Sequence, residues 1–379
     1  MMRVVATLGL VAAVGVAASA IAQQAVPKGP ATGTPPLGNA TGVPPLGNQP
    51  PGIQGNAKGG GGIAGFGGGQ NIPAVGPRCD EARMALSTDG LTFRPDGAVA
   101  VPMASVPDGA FFQNQLVFYY VGGGDRHGIF RATTHDGVWE RGDEVQIGGV
   151  FNQNAVDPDV VVLPDGRIRL YYFEGNFRGP QAGAGGAVAG VPATGNSPFF
   201  AAVSTDGIHF TAEGKVFETA GGTDPSVVRL ADGSWLLAVA RAMTQDIVIA
   251  RATDGLQFTQ VAVLANGGIP ELMTLDGGRV RLFFNGQGGM VSRVSADGGR
   301  TWSDEQGTRL MYQGFAADPS VVAMADGTYR MFFKTQDQVC QVATAIARGL
   351  VQGGGQGGPQ PQGGAQGVPK GALKGPVTP

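Results

Sequence analysis

From Asp157 the chain reads Asp-Pro-Asp-Val-Val-Val-Leu, breaks at Pro164-Asp165-Gly166, and resumes with Arg167-Ile168-Arg169-Leu170-Tyr171-Tyr172. Two short runs rich in β-branched and aromatic residues, joined by an Asp-Gly turn, predict a β-hairpin. The pattern restarts at Asp224-Pro225-Ser226-Val227-Val228, at Ile269-Pro270-Glu271-Leu272 and at Asp318-Pro319-Ser320-Val321-Val322. A weaker copy opens at Val101-Pro102, without the Asp, and is expected to turn at Pro107-Asp108-Gly109.

A second element alternates with the hairpins. It reads Ser87-Thr88-Asp89-Gly90, Thr134-His135-Asp136-Gly137, Ser204-Thr205-Asp206-Gly207, Thr253-Asp254-Gly255 and Ser295-Ala296-Asp297-Gly298-Gly299-Arg300-Thr301-Trp302. The last copy resembles the Asp-box of sialidases and other propellers, a turn whose Asp bonds nearby amides. Five hairpins and five such turns, four strands per repeat at a period of about 45 residues, predict an all-β fold, a five-bladed β-propeller. The chain begins on a turn and ends on a hairpin, so the N-terminal strands are expected to close the last blade. The run Val339 to Ala345 leaves a partial sixth blade open as an alternative.

Composition sets the limits of the folded unit. Of 379 residues, 66 are Gly and 26 Pro, concentrated in residues 23–77 and 350–379, which lack the apolar side chains to offset ordering entropy and read as disordered tails. Residues 1–22 carry Arg3, an apolar stretch and Ala20-Ile21-Ala22, the pattern of a secretory signal. The expected domains are therefore a signal peptide (1–22), a linker (23–77), a propeller (78–349) and a tail (350–379). The expected location is secreted or periplasmic, with no membrane span in the mature chain. Cys79 and Cys340 bracket the propeller and are candidates for a disulfide, one of two open readings for them. A formal charge of −3 without a basic stripe excludes nucleic acid as the expected partner. A monomer is expected.

Candidate chemistry collects on one face. The hairpin turns (Asp108, Asp165, Asp232, Asp276, Asp326) and the Asp turns belong to one side. The strand starts supply Asp157, Asp159, Asp224, Glu271 and Asp318 to the other. Loops on that second side add Asp125, Arg126, His127, Glu174, Asn176, Arg178, Arg241, Gln245, Asp246, Asn285, Gln287, Lys334 and Gln336. Carboxylates around a channel mouth are costly unless paired, hydrated or bound to something. His135 and His209 fall in turns on the far side, so no histidine metal cluster is expected. No cofactor is expected, although the carboxylates alone can form a calcium site.

The strand-start acids give the chain a resemblance to the five-bladed propeller glycosidases: arabinanases and β-xylosidases, more distantly invertases and levansucrases. The resemblance implies a glycoside hydrolase acting on a poly- or oligosaccharide. It makes Asp157 the base or nucleophile, Asp224 the orienting residue and Glu271 the acid. Asp318, Arg126, His127, Glu174, Arg241, Asn285 and Lys334 would contact substrate. Against this stands a second reading, a non-catalytic propeller that binds a ligand or partner at the cell envelope. The recurring Asp-Pro step suits it, because it serves as a strand cap, and so do the few free aromatics. Sialidases match less well, since no Phe-Arg-Ile-Pro motif is present.

Overall fold

A computed structural model describes residues 77–340, apart from 125, 136, 176–194, 242 and 287. The leader and both tails, and the candidates Asp125, Asn176, Arg178 and Gln287, lie outside the described residues. The structure is an all-β, five-bladed propeller of five sheets, antiparallel except where Gln146–Ile147 runs parallel to His209–Ala220. The innermost strands are Ala104–Phe112, Ala155–Val162, Gly222–Arg229, Gly268–Thr274 and Ala317–Ala323, opening blades one to five in that order. Blade two carries an added ribbon, Gln146–Ile147 and Val150–Phe151. No helix among the described residues is long and apolar enough to cross a membrane.

Blade five draws on both ends of the described chain. Its order is Arg94–Pro102, Asp80–Ser87, Tyr329–Gln336, Ala317–Ala323, with Asp80–Ser87 paired antiparallel to Tyr329–Gln336 from Asp80↔Gln336 to Ser87↔Tyr329. Cys79 and Cys340 form a disulfide beside that seam, with Cα atoms 5.4 Å apart. The run from Val339, left open as an alternative sixth-blade strand, begins as helix at Gln338–Cys340, and its remainder lies outside the described residues.

Burial falls from the axis to the rim, because inner strands are sandwiched between neighbouring blades. The second strand of blade three, Trp235–Arg241, is buried at every position but the last, while the outer strand Thr259–Ala265 has no fully buried position. Such a run is continuously apolar instead of alternating, as expected of strands covered on both faces. Aromatic pairs fill the spaces between blades. Phe118 of blade one lies 4.8 Å from Phe332 of blade five, centroid to centroid, and 4.8 Å from Trp139.

The Asp turns are closed locally and tied to the preceding blade. Asp89 Oδ1 accepts from the amides of Leu91 (2.8 Å) and Thr92 (2.9 Å), and Asp206 and Asp297 repeat the arrangement. The preceding blade then caps the carbonyls of three of these turns. Tyr119 Oη donates to Gly207 O, Tyr171 Oη to Gly255 O, and Arg281 Nη1 to Gly90 O.

The first hairpin departs from expectation. Ala104–Phe112 is one strand, its opening step is Val106-Pro107, and its turn is Gln113-Asn114, both at positive φ (49° and 64°). Asp108 is therefore inside the inner strand and not in a turn. The Asp108-Gly109 dipeptide looked like a turn, but Gly109 is needed for close packing. A Cβ there would meet the Phe332 ring at 2.6 Å.

Candidate functional site

Each inner strand begins with the same backbone device. The residue before proline (Val106, Asp157, Asp224, Ile269, Asp318) sits at φ between 48° and 51°. A non-glycine residue pays roughly 1–2 kcal/mol for that conformation. The ladder slips there in every blade, between Ser105/Asp108, Tyr171/Phe173, Thr223/Pro225, Gly268/Glu271 and Ala317/Ser320. Such a bulge re-aims side chains, and here it turns the residue after proline onto the axis.

Two stacked rings result. The upper one holds Val106, Asp157, Asp224, Ile269 and Asp318; the lower one holds Asp108, Asp159, Ser226, Glu271 and Ser320. The lower ring is a closed belt of hydrogen bonds running blade to blade. Asp108 Oδ2 accepts from Val160 N (2.6 Å), Asp159 Oδ2 from Val227 N (3.1 Å) and Ser226 Oγ from Leu272 N (2.9 Å). Glu271 Oε1 accepts from Val321 N (2.7 Å), and Ser320 Oγ from Gly109 N (2.9 Å) closes the circle. Ser226 Oγ also donates to Glu271 Oε2 at 2.9 Å.

The acids expected to act together divide between these tiers. Asp157 and Asp224 lie in the upper ring, where Asp224 N donates to Asp157 Oδ2 at 3.4 Å, and Glu271 lies in the lower. All three face the same axial gap, yet the carboxylates clustered with Glu271 are Asp108 and Asp159, each offering an oxygen within 4.8 Å of the others. Blade one, which seemed to lack an acid, supplies Asp108. Aligning the five prolines, and not the Asp-Pro pairs, would have found it: Asp108, Asp159 and Glu271 each follow a proline.

Electrostatics differ between tiers. In the upper ring Lys334 Nζ stands 2.5 Å from Asp318 Oδ2. Burial opposes the charge on Lys334, but Asp318, Asp80 and Asp224 outweigh it and raise the ammonium's pKa. Burial, then Asp318, pushes Asp224 up to about 6; burial, then Asp224 and Asp318, holds Asp157 well above the usual range. Among the described residues no ion pair reaches the lower ring. Burial lifts Asp108 to about 7. Burial with the Asp108 and Glu271 charges raises Asp159, and burial with Asp108 raises Glu271. Three buried acids without a cation stay protonated or take a metal. An all-oxygen set at this spacing fits a hard cation, since ligands 2.3–2.6 Å from calcium are at most about 5 Å apart.

The gap itself is small, about 20 Å3, and rimmed by all five prolines. That holds one water or ion, whereas small-molecule pockets run to about 300–1,000 Å3. The expected substrate contacts are not gathered around it, except for Asp318 and its partner Lys334. Arg126 pairs with Glu144 at 2.5 Å and lies over Phe151; His127 Nδ1 meets Gln153 O. Glu174 accepts from Asn152, Arg241 is bidentate to Asp246, and Asn285 donates to Ala316 O.

No family model and no curated protein matches the chain. Solved structures similar to it include glycoside hydrolases. One is a thermostable family-43 glycoside hydrolase, 12% identical over 57% of this chain and 78% of that one, with a TM-score of 0.41. Another is the fructofuranosidase of Schwanniomyces occidentalis complexed with fructose, 17% identical over 59% of this chain, TM-score 0.45; the match spans half of that enzyme's length. A third is an exo-beta-1,3-galactanase of Phanerochaete chrysosporium, 13% identical over 68% and 65% of the two chains, TM-score 0.44.

Proposed function

We propose that the protein is a non-catalytic binding propeller that works outside the cytoplasm, with an axis clamped by its acids around one hard divalent cation such as calcium. The observation that carries this reading is the axial gap of about 20 Å3, too small for a sugar ring and lined by acids of which Asp108, Asp159 and Glu271 are already bonded to the next blade. Asp108, Asp159 and Glu271 would hold the ion, which supplies charge neutralisation. The Cys79–Cys340 bridge suits an oxidising compartment.

Calcium should raise the melting temperature and EDTA should lower it, with the shift lost in Glu271→Gln. Unchanged melting with calcium would overturn the cation reading. A second reading is favoured by one observation, that burial lifts Asp108 to about 7 and Glu271 well above the usual carboxylate range, the direction a general acid needs. It makes the chain a glycoside hydrolase acting on a poly- or oligosaccharide. Release of reducing sugar from a polysaccharide panel, abolished by Glu271→Gln, would establish it and sink the non-catalytic reading.

A further inference from the structure

If the axis admits only an ion, a binding propeller needs its ligand site elsewhere. The larger cavity, about 320 Å3, opens on the strand-start face over the seam between blades five and one. Arg78 precedes the disulfide on one wall and Arg141 stands on the other. Neither forms an ion pair among the described residues. The acids around them are already engaged. Glu81 is taken by Arg83 at 2.9 Å, Asp80 accepts from Ser105 Oγ at 2.7 Å, and Asp337 Oδ1 accepts from the amides of Val339 and Cys340.

The walls are also built, not incidental. Arg141 lies against the Gly124 backbone so closely that a Cβ there would meet its Nη2 at 2.8 Å. Burial holds the Tyr120 phenol above its usual range, and the neighbouring Arg141 charge offsets part of that. Met103 lines the cavity at φ 52°, a strained conformation for a side chain of its size. Its carbonyl accepts from Gly123 N at 2.8 Å, which fixes the floor.

We infer that this cavity binds the carboxylate-bearing sugar of an acidic oligosaccharide, a hexuronate, between Arg78 and Arg141. Guanidinium groups recognise a carboxylate through paired, charge-assisted hydrogen bonds. The spare lone pairs of Asp337 and Glu81 accept from sugar hydroxyls, and Pro102 and Met103 offer an apolar floor to the C–H face of the ring. The volume lies at the small end of ligand pockets and suits one or two sugar units. This inference rests on the binding-propeller reading and names its ligand.

The test is titration of the full chain with digalacturonate, with its dimethyl ester and with inorganic phosphate, followed by ligand-observed NMR. Digalacturonate is expected to bind and the ester to bind far more weakly. Arg141→Ala and Arg78→Ala should each weaken binding by about tenfold or more, the loss of one charge-assisted contact, with melting temperature unchanged. Absence of binding, equal binding of the ester, equal binding of phosphate, or indifference to both substitutions would overturn the assignment. Cleavage of digalacturonate during the titration would overturn the non-catalytic reading while leaving the pocket in place, so the two failures are distinguishable.

Discussion

At the scale of single residues, the axis shows how one side chain does two jobs. Ser226 stands where blades one, two and four place an acid; it accepts from Leu272 N and donates to Glu271. Its replacement by Ala orphans a buried amide and strips a donor from a buried carboxyl. A loss of about 1–3 kcal/mol is expected, measured by urea denaturation. A change near zero would mean the belt is incidental to stability. The strain before each proline follows the same logic. A positive φ is unfavourable locally but directs the next side chain inward, where it bonds to the adjacent blade. Asp and Asn tolerate that conformation better than Val106 or Ile269 do, which accounts for the frequency of Asp-Pro without invoking catalysis.

At the scale of elements, blade five is the vulnerable one, since it joins the strands within 80–102 to those within 317–336. The other blades are contiguous hairpins. Here the pairing must be closed across 261 residues, and the disulfide removes most of that entropy from the unfolded chain. The chain-entropy model gives roughly 5 kcal/mol for so long a loop, and measured values run about 2–5. Replacing both cysteines by Ser should therefore lower stability by about 2–5 kcal/mol. Hydrogen exchange should rise first in Asp80–Ser87 and Arg94–Pro102; uniform exchange across all blades would contradict this account.

At the scale of the whole molecule, two sets of carboxylates give the stability curve two limbs. The Asp turns, exemplified by Asp89 and Asp254, are held below their usual range by backbone amides, so they favour folding above the unfolded pKa and lose that effect as pH falls. The axial acids act oppositely. Their folded pKa values are raised, so their contribution is fully present below the unfolded pKa and is lost as pH rises through the folded values, about 6 for Asp224 and about 7 for Asp108. Without divalent cations, stability should peak in mild acid and decline between about pH 5 and 8. Asp224→Asn should flatten the lower part of that decline. Thermal melts across pH decide it, and a curve still rising from pH 5 to 8 would contradict the axial assignment.

The repeat of apolar runs, turns and X-Pro steps determined the propeller, its blade number and the face where the acids begin, because strand periodicity and turn chemistry are local properties. Residues Asp157, Asp224 and Glu271 were legible as axial for the same reason. What remained hidden was the bulge after each pre-proline residue, which shifts side chains by one position and assigns Asp108 and Asp159 to the ring with Glu271. The size of the axial gap was equally invisible, since it depends on five prolines converging from strands far apart in sequence. Only the closed circle placed Arg78 and Arg141 across one cavity, because that seam joins the two ends of the propeller.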